Sequence, residues 1–196
     1  RSILIAFEQA EAITEPAEQC RLLTFVIVGG GATGVEMAGA IAEIARQTLA
    51  AAFRRIDPRT ARIVLVEAGP RLLPTFPPEL SDYAHKALEH AGVEIKTKTY
   101  VTNCDRHGVD TDGGRIEACT LIWAAGVIAS PAAQWLGVEA DRAGRVQVGP
   151  DLSVPGYPEI FVIGDTAMVL DSGGRPVPGI APAAKQMGKH VGKQIA

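Results

Sequence analysis

FVIVGGGATGVEMAG, residues 25–39, decides how this chain is to be folded. An apolar, β-branched run from Leu22 to Val28 stops at three glycines, and a helical pattern follows. Such a run predicts a strand buried on both faces, as in a parallel sheet. Gly29, Gly31 and Gly34 satisfy G-x-G-x-x-G, with Ala38 as a small residue four further on. The pattern alone is weak, but between a strand and a helix it predicts a diphosphate cradle. Gly29 permits the tight turn, Gly31 lets a diphosphate approach the backbone, and Gly34 with Ala38 lets the helix pack close. Gly30, Ala32 and Thr33 complete the expected loop, whose amides open onto the positive end of the helix. The rival reading is a purely structural strand–helix turn.

Outward from the loop, the pattern predicts a helix from Ala32 to about Phe53, ended by Asp57-Pro58. Its apolar face is Val35, Ala38, Ile41, Ala42, Ala45, Leu49 and Ala52. ARIVLVEAG (61–69) is a second buried strand. ELSDYAHKALEHAG (79–92) is a helix with Leu80, Tyr83, Ala84, Ala87 and Leu88 on one face and Gly92 as its stop. VEIKT is a third strand, giving βαβαβ, a parallel dinucleotide-binding half. Upstream, ILIAFEQAEAI (3–13) predicts a helix and TEPAEQCR a charged helical or loop connector.

Residues 101–126 alternate around Asp112-Gly113-Gly114, which predicts an antiparallel meander and then a strand, TLIWAAG. Beyond residue 127 a looser, proline-rich segment closes on EIFVIGD (159–165), apolar enough to be buried on both faces, and APAAKQMGKHVGKQIA starts another helix. The expected fold is therefore α/β: a three-layer, Rossmann-like domain of parallel sheet plus antiparallel meander, and an incomplete second domain. The divisions are 1–21 (connecting helix), 22–126 and 127–196.

Two acids stand near the loop. Glu67 ends the second strand, farther along than the usual ~20 residues because the first helix is long. A carboxylate there accepts from both ribose hydroxyls and repels a 2′-phosphate, which favours NAD(H) over NADP(H). Arg71 nearby keeps NADP(H) open, as does the plainer reading of Glu67 as a solvated strand-end charge. Glu36, placed in the first helical turn, is either a stabilising acid there or one facing a redox centre.

Composition narrows the classes. The 196 residues are 47% hydrophobic with net charge −3, so a packed core is expected and disorder is not. No basic stripe suggests nucleic acid, and no run approaches the ~18 apolar residues of a membrane span. Cys20, Cys104 and Cys119 form no CxxC, and the four histidines lack ligand spacing, so no metal site is expected. Arg1 is not a natural start, and the chain is expected to be cut from a longer one.

FVIVGGGATGVEMAG, LVEAGPRLLP, TLIWAAGV and IFVIGD followed by APAAKQMGK together resemble the two-dinucleotide-binding flavoproteins. Among these the chain is most similar to type II NADH dehydrogenase, the single-subunit NADH:quinone oxidoreductase. The resemblance runs over nearly the whole chain. It implies hydride transfer from NADH to FAD and then reduction of a quinone, on the cytoplasmic face of a membrane. It implies NADH at Gly29–Gly34 and Glu67, with Ala125 and Gly126 passing near the nicotinamide and flavin, and Glu36 an acid near the flavin. Gly164, Asp165 and Ala183 are implied for FAD, with Asp165 on the ribityl chain. Lys185 and Gln186 are implied beside the quinone, although many members have Gln where this chain has Pro182. The family's own FAD glycine loop and membrane-holding helices have no counterpart here. The expectations are therefore that FAD is absent from this chain alone, and that membrane association runs through other regions. Residues from about 127 onward are expected to be poorly covered, rearranged or paired with a second copy. The alternatives are another FAD-dependent pyridine nucleotide enzyme, of the disulfide or ferredoxin reductase type, and a non-catalytic nucleotide-binding module.

Overall fold

The computed structural model of the protein describes residues 1–126 and 128–195. The expected domain boundary at residue 127, the end of the WAAGV motif and the last helical residue, Ala196, lie outside them. The chain divides into two units, Arg1–Gly126 and Val127–Ala196.

In the first unit β1 (Thr24–Val28), β2 (Arg62–Val66), β3 (Val93–Lys96) and β7 (Thr120–Trp123) form one parallel sheet in the order β3-β2-β1-β7. β1 is buried at every residue, and the two sides of its pleat serve different cores. Phe25 and Ile27 face α1 (Ser2–Ala12) and α3 (Ala32–Glu43) in a cluster with Phe7, Ala38, Ile41 and Leu65. Val26 and Val28 face the other way, with Val64, Val66, Val109 and Ile116. The latter pair belongs to an antiparallel sheet of β4 (Val101–Asp105), β5 (Gly108–Thr111) and β6 (Gly114–Glu117). Helices, parallel sheet and meander are thus three layers, as the sequence predicts.

The connector at 14–21, expected as helix or loop, is mostly helix, α2 (Pro16–Leu22), because Glu15 accepts from the Glu18 amide at 2.7 Å and caps it. Other expectations need correcting. The glycine-loop helix does not reach Phe53. It ends at Glu43, continues as one π-helical turn at Ile44–Thr48, and leaves Ala52 exposed. In α4 (Pro78–His90) Leu80 and Tyr83 are 50% and 74% exposed. The buried face is Ser81 and Leu88, and Ser81 is tolerated there because its hydroxyl donates to the Leu72 carbonyl at 2.6 Å.

The second unit is built of short pieces: α5 (Ala132–Leu136), β8 (Val146–Gln147), β9 (Ser153–Val154), β10 (Tyr157–Phe161), β11 (Ala167–Met168) and α6 (Ala181–Ile195). The strand apolar enough for burial on both faces is not covered to that extent here. Tyr157, Pro158 and Glu159 of β10 are exposed, Ile160 and Phe161 are half-buried, and β10 pairs only with two-residue β9 through an irregular register. No helix among the described residues is long and apolar enough to cross a membrane.

Candidate functional site

The glycine loop lies at the carboxyl edge of the parallel sheet, between β1 and its two neighbours. Its ends are tied to both: the Gly29 amide donates to Val66 O at 2.8 Å, and the Ala124 amide donates to Val28 O at 2.8 Å. Gly29 has φ +111°, and a Cβ there would come within 2.8 Å of the Ala124–Ala125 backbone. Only glycine fits such a turn. A Cβ on Gly34 would overlap the Gly29 carbonyl oxygen, so helix and strand touch backbone to backbone here, and Ala38 is fully buried one turn on.

Gly31 differs. It caps α3 in an extended conformation, and a Cβ built on it meets nothing within 4 Å. That face is open. Ala32 and Thr33 follow, exposed, as the first helical residues. Their amides have no carbonyl one turn behind them, because the first α-helical bond is Val35 N–H to Gly31 O at 3.0 Å. Open space in front of free amides at a helix N-terminus is what an anionic group needs.

Glu67, half-buried at the tip of β2, is turned toward this loop. Its Oε2 accepts from the Gly30 amide at 2.5 Å and its Oε1 from the Gly69 amide at 2.6 Å. Each carboxylate oxygen has capacity left for another donor, such as a sugar hydroxyl. Arg71 donates to the carbonyls of Phe76 and Pro74 at 3.1 and 2.9 Å, which ties two of its five donors back to its own loop. Gly126 lies past β7 with φ +68°, and Ala125 is half-buried.

Glu36 is not in the first helical turn. α3 begins at Ala32, its first turn contains no acid, and Glu36 stands exposed one turn in. The reading of Glu36 as a stabilising first-turn acid therefore fails, because the helix-end field falls off within the first turn.

In the second unit, Gly164, Asp165 and Ala183 do come together, lining one small crevice with Gly179 and Met187. Gly164 has φ +67° and its amide contacts Met187 Sδ at 3.2 Å. Asp165 was expected at the end of a buried strand. It sits instead in a 3-10 turn, Gly164–Thr166, beyond β10, with its carboxylate exposed and without a hydrogen-bond partner among the described residues. Lys185 and Gln186 are exposed on α6. A cavity of about 540 Å³ lies elsewhere in this unit, among Glu139, Asp141, Gln147 and Met168, and contains none of the expected site residues. Among the described residues no three His, Cys, Asp or Glu side chains gather as metal ligands.

The family model for pyridine nucleotide-disulphide oxidoreductases matches residues 2–188. The chain belongs to the pyridine nucleotide-disulphide oxidoreductase family. Within that family it is 49% identical over 202 residues to the type II NADH:quinone oxidoreductase Ndh of Mycobacterium tuberculosis, across 98% of this chain and 42% of that protein. It is 38% identical over 175 residues to the type II NADH:quinone oxidoreductase of Haemophilus influenzae, across 88% of this chain and 39% of that one. The structure of NDH2 from Plasmodium falciparum in complex with NADH superposes with a TM-score of 0.74 at 26% identity, over 85% of this chain and 36% of that chain. The chain thus spans about two fifths of the length of the curated relatives it matches.

In this pyridine nucleotide-disulphide oxidoreductase chain, two residues at the site escaped sequence reasoning. Gly69 donates to Glu67, and Leu73 donates its amide to the Gly30 carbonyl at 2.7 Å. Gly69 had a visible signal, being a glycine two residues past a strand-end acid. Leu73 had none, because its backbone at φ +48° is unusual for leucine and is set by the loop around it.

Proposed function

We propose that the first unit binds NADH and that the whole protein is a flavin-dependent NADH:quinone oxidoreductase. The observation that carries the reading is the open face at Gly31 before the free amides of Ala32 and Thr33, with the Glu67 carboxylate beside it. These residues suit an adenine dinucleotide. The helix N-terminus takes the diphosphate, and Glu67 takes the ribose hydroxyls and repels a 2′-phosphate. Arg71, engaged by two carbonyls, supports NADH over NADPH. Ala125 and Gly126, on the neighbouring strand end, guide the nicotinamide half. The 49% identity to a mycobacterial type II enzyme supports the quinone as acceptor.

For FAD, the exposed Asp165, without a hydrogen-bond partner among the described residues, suits the hydroxyls of a polyol chain, with Gly164 and Ala183 beside it. When bound, FAD would supply a two-electron carrier between NADH and the quinone. What this chain contributes is orientation, with Lys185 and Gln186 on the α6 surface offered to the quinone side. Glu36, exposed on the loop helix, remains a candidate for tuning the redox site. Peripheral attachment to the cytoplasmic face of a membrane follows from the same reading.

The test is NADH oxidation by the full-length protein with a quinone, a disulfide or ferredoxin as acceptor. Quinone-dependent turnover is expected. Turnover with a disulfide alone would move the protein to another branch of the family. Calorimetry on the present chain is expected to detect NADH binding, and Glu67→Ala to weaken it and to relax discrimination against NADPH. Unchanged preference would remove Glu67 from cofactor selection.

A further inference from the structure

We propose that Glu67 is also a positioning residue, which sets the glycine loop in the orientation that meets the diphosphate. The proposal rests on the dinucleotide reading above and adds a second route by which this acid acts. The starting point is Gly30, whose N–H and carbonyl belong to the peptides on either side of it. Its N–H is held by Glu67 Oε2 at 2.5 Å, and its carbonyl is held by the Leu73 amide at 2.7 Å. Rotation of the Gly29–Gly30 peptide would break the first bond and rotation of the Gly30–Gly31 peptide the second, so the segment 67–73 grips the loop at two successive peptides. The other carboxylate oxygen is anchored on the Gly69 amide at 2.6 Å. The Glu67 backbone itself is fixed in the sheet, its N–H to Lys96 O at 2.8 Å and its carbonyl accepting from Thr99 at 3.1 Å. A rigid main chain, a carboxylate with both oxygens engaged and two gripped peptides form one frame.

The glycines around it fit this purpose. A Cβ on Gly30 would come within 2.9 Å of Glu67 Cγ and Oε2 and 2.7 Å of Leu72 Cδ2. A Cβ on Gly69 would come within 2.9 Å of Glu67 Oε1. The middle glycine of the GGG run is thus required by the side chains of Leu72 and Glu67 packed against it. Next in the chain come Gly31 and the free amides of Ala32 and Thr33. Fixing the two peptides that flank Gly30 fixes where those amides point, and preorganised donors bind an anion more tightly than mobile ones.

The side chain must be glutamate for this. Glutamine has one acceptor oxygen and would turn an NH2 group against an N–H. Aspartate keeps the charge but is one methylene short of spanning both amides.

The test uses NADH and an NADH analogue whose adenosine ribose lacks both hydroxyls, titrated by calorimetry into the wild-type chain, Glu67→Gln and Glu67→Asp. The analogue leaves the acid nothing to contact on the sugar. Losing one charged hydrogen bond of the frame is expected to weaken the analogue about tenfold in both variants. If Glu67 acted only on the sugar, the analogue would bind unchanged. In Glu67→Gln it would bind more tightly, because a negative charge beside the diphosphate is gone. Either result overturns the proposal. Amide hydrogen exchange is the independent readout. Gly30 and Gly69 are expected to exchange faster in Glu67→Gln while the β1 and β2 amides stay protected, and unchanged protection at Gly30 also overturns it. Absence of NADH binding by the wild-type chain would defeat the dinucleotide reading itself. NADH binding with the analogue unmoved by the substitutions would defeat this inference alone.

Discussion

A Cβ on Gly34 would overlap the Gly29 carbonyl, whereas one on Gly31 would meet nothing within 4 Å. The two glycines of one motif should therefore fail in opposite ways when each becomes alanine. Gly34→Ala forces α3 away from β1 and is expected to cost about 1–3 kcal/mol, as overpacking does. Gly31 has an ordinary φ of −73°, so Gly31→Ala should keep stability within about 0.5 kcal/mol of wild type. It should nonetheless weaken NADH, because the methyl group occupies the face the diphosphate approaches. Urea unfolding and NADH calorimetry on both variants check this. Equal stability losses, or unimpaired binding in Gly31→Ala, would contradict the division of roles. The spacing of these glycines was legible in the sequence because turn, approach and packing each demand a missing side chain. The reason for Gly30 was not, since it depends on Glu67, a distant residue that folds over it.

At the scale of elements, strands were easier to read than helix faces. β1 and β2 are apolar throughout because both faces are covered, and nothing competes with that signal. In α4, Leu80 and Tyr83 mimic a core stripe at helical spacing, while the buried face contains Ser81, a polar residue satisfied by the Leu72 carbonyl. Leu88→Ala should therefore cost about 2–4 kcal/mol, and Leu80→Ala less than about 0.5 kcal/mol, measured by the same unfolding assay. The early end of the loop helix was likewise invisible, since its alanine-rich continuation fits a helix as well as the π turn that replaces it. The segment after that turn is held from outside by Glu11 of α1. This carboxylate accepts from the amides of Arg54, Arg55 and Ile56 at 3.0–3.2 Å. Desolvation pushes the Glu11 pKa up, but the three amides and the Arg55 charge outweigh it and hold it below the ordinary 4.5. A depressed folded-state pKa contributes stability that is present above 4.5 and is lost as the pH falls through the lower folded value. Glu11→Gln should be less stable than wild type at neutral pH, and the gap should close on acidification. A gap that stays constant down to acid pH would show that the carboxylate charge plays no part.

Across the whole molecule, the two units differ in what they bury. The first has continuous cores on both sides of its sheet, including the fully buried Phe7, Phe25, Ile27 and Leu65. The second has two small clusters, around Val146 and around Met187, and exposes Ile128, Trp135 and Leu170 at 79%, 75% and 52%. That contrast was half-legible: the apolarity of EIFVIGD was plain, but a strand's composition records the burial it is suited to, and here it meets only a two-residue partner. Smaller cores stabilise less, so the second unit is expected to unfold at lower urea than the first. Each unit contains one tryptophan, Trp123 in the first and Trp135 in the second. Trp123→Phe and Trp135→Phe variants therefore report on one unit each by fluorescence. A ligand that binds only the first unit stabilises that unit alone, by about 2.7 kcal/mol at a hundredfold excess over Kd. NADH should consequently move the transition reported by Trp123 and leave the one reported by Trp135 in place. Coincident transitions, or an equal NADH shift in both, would mean that the second unit shares the site or the stability of the first, and the confinement of dinucleotide binding to residues 1–126 would have to be abandoned.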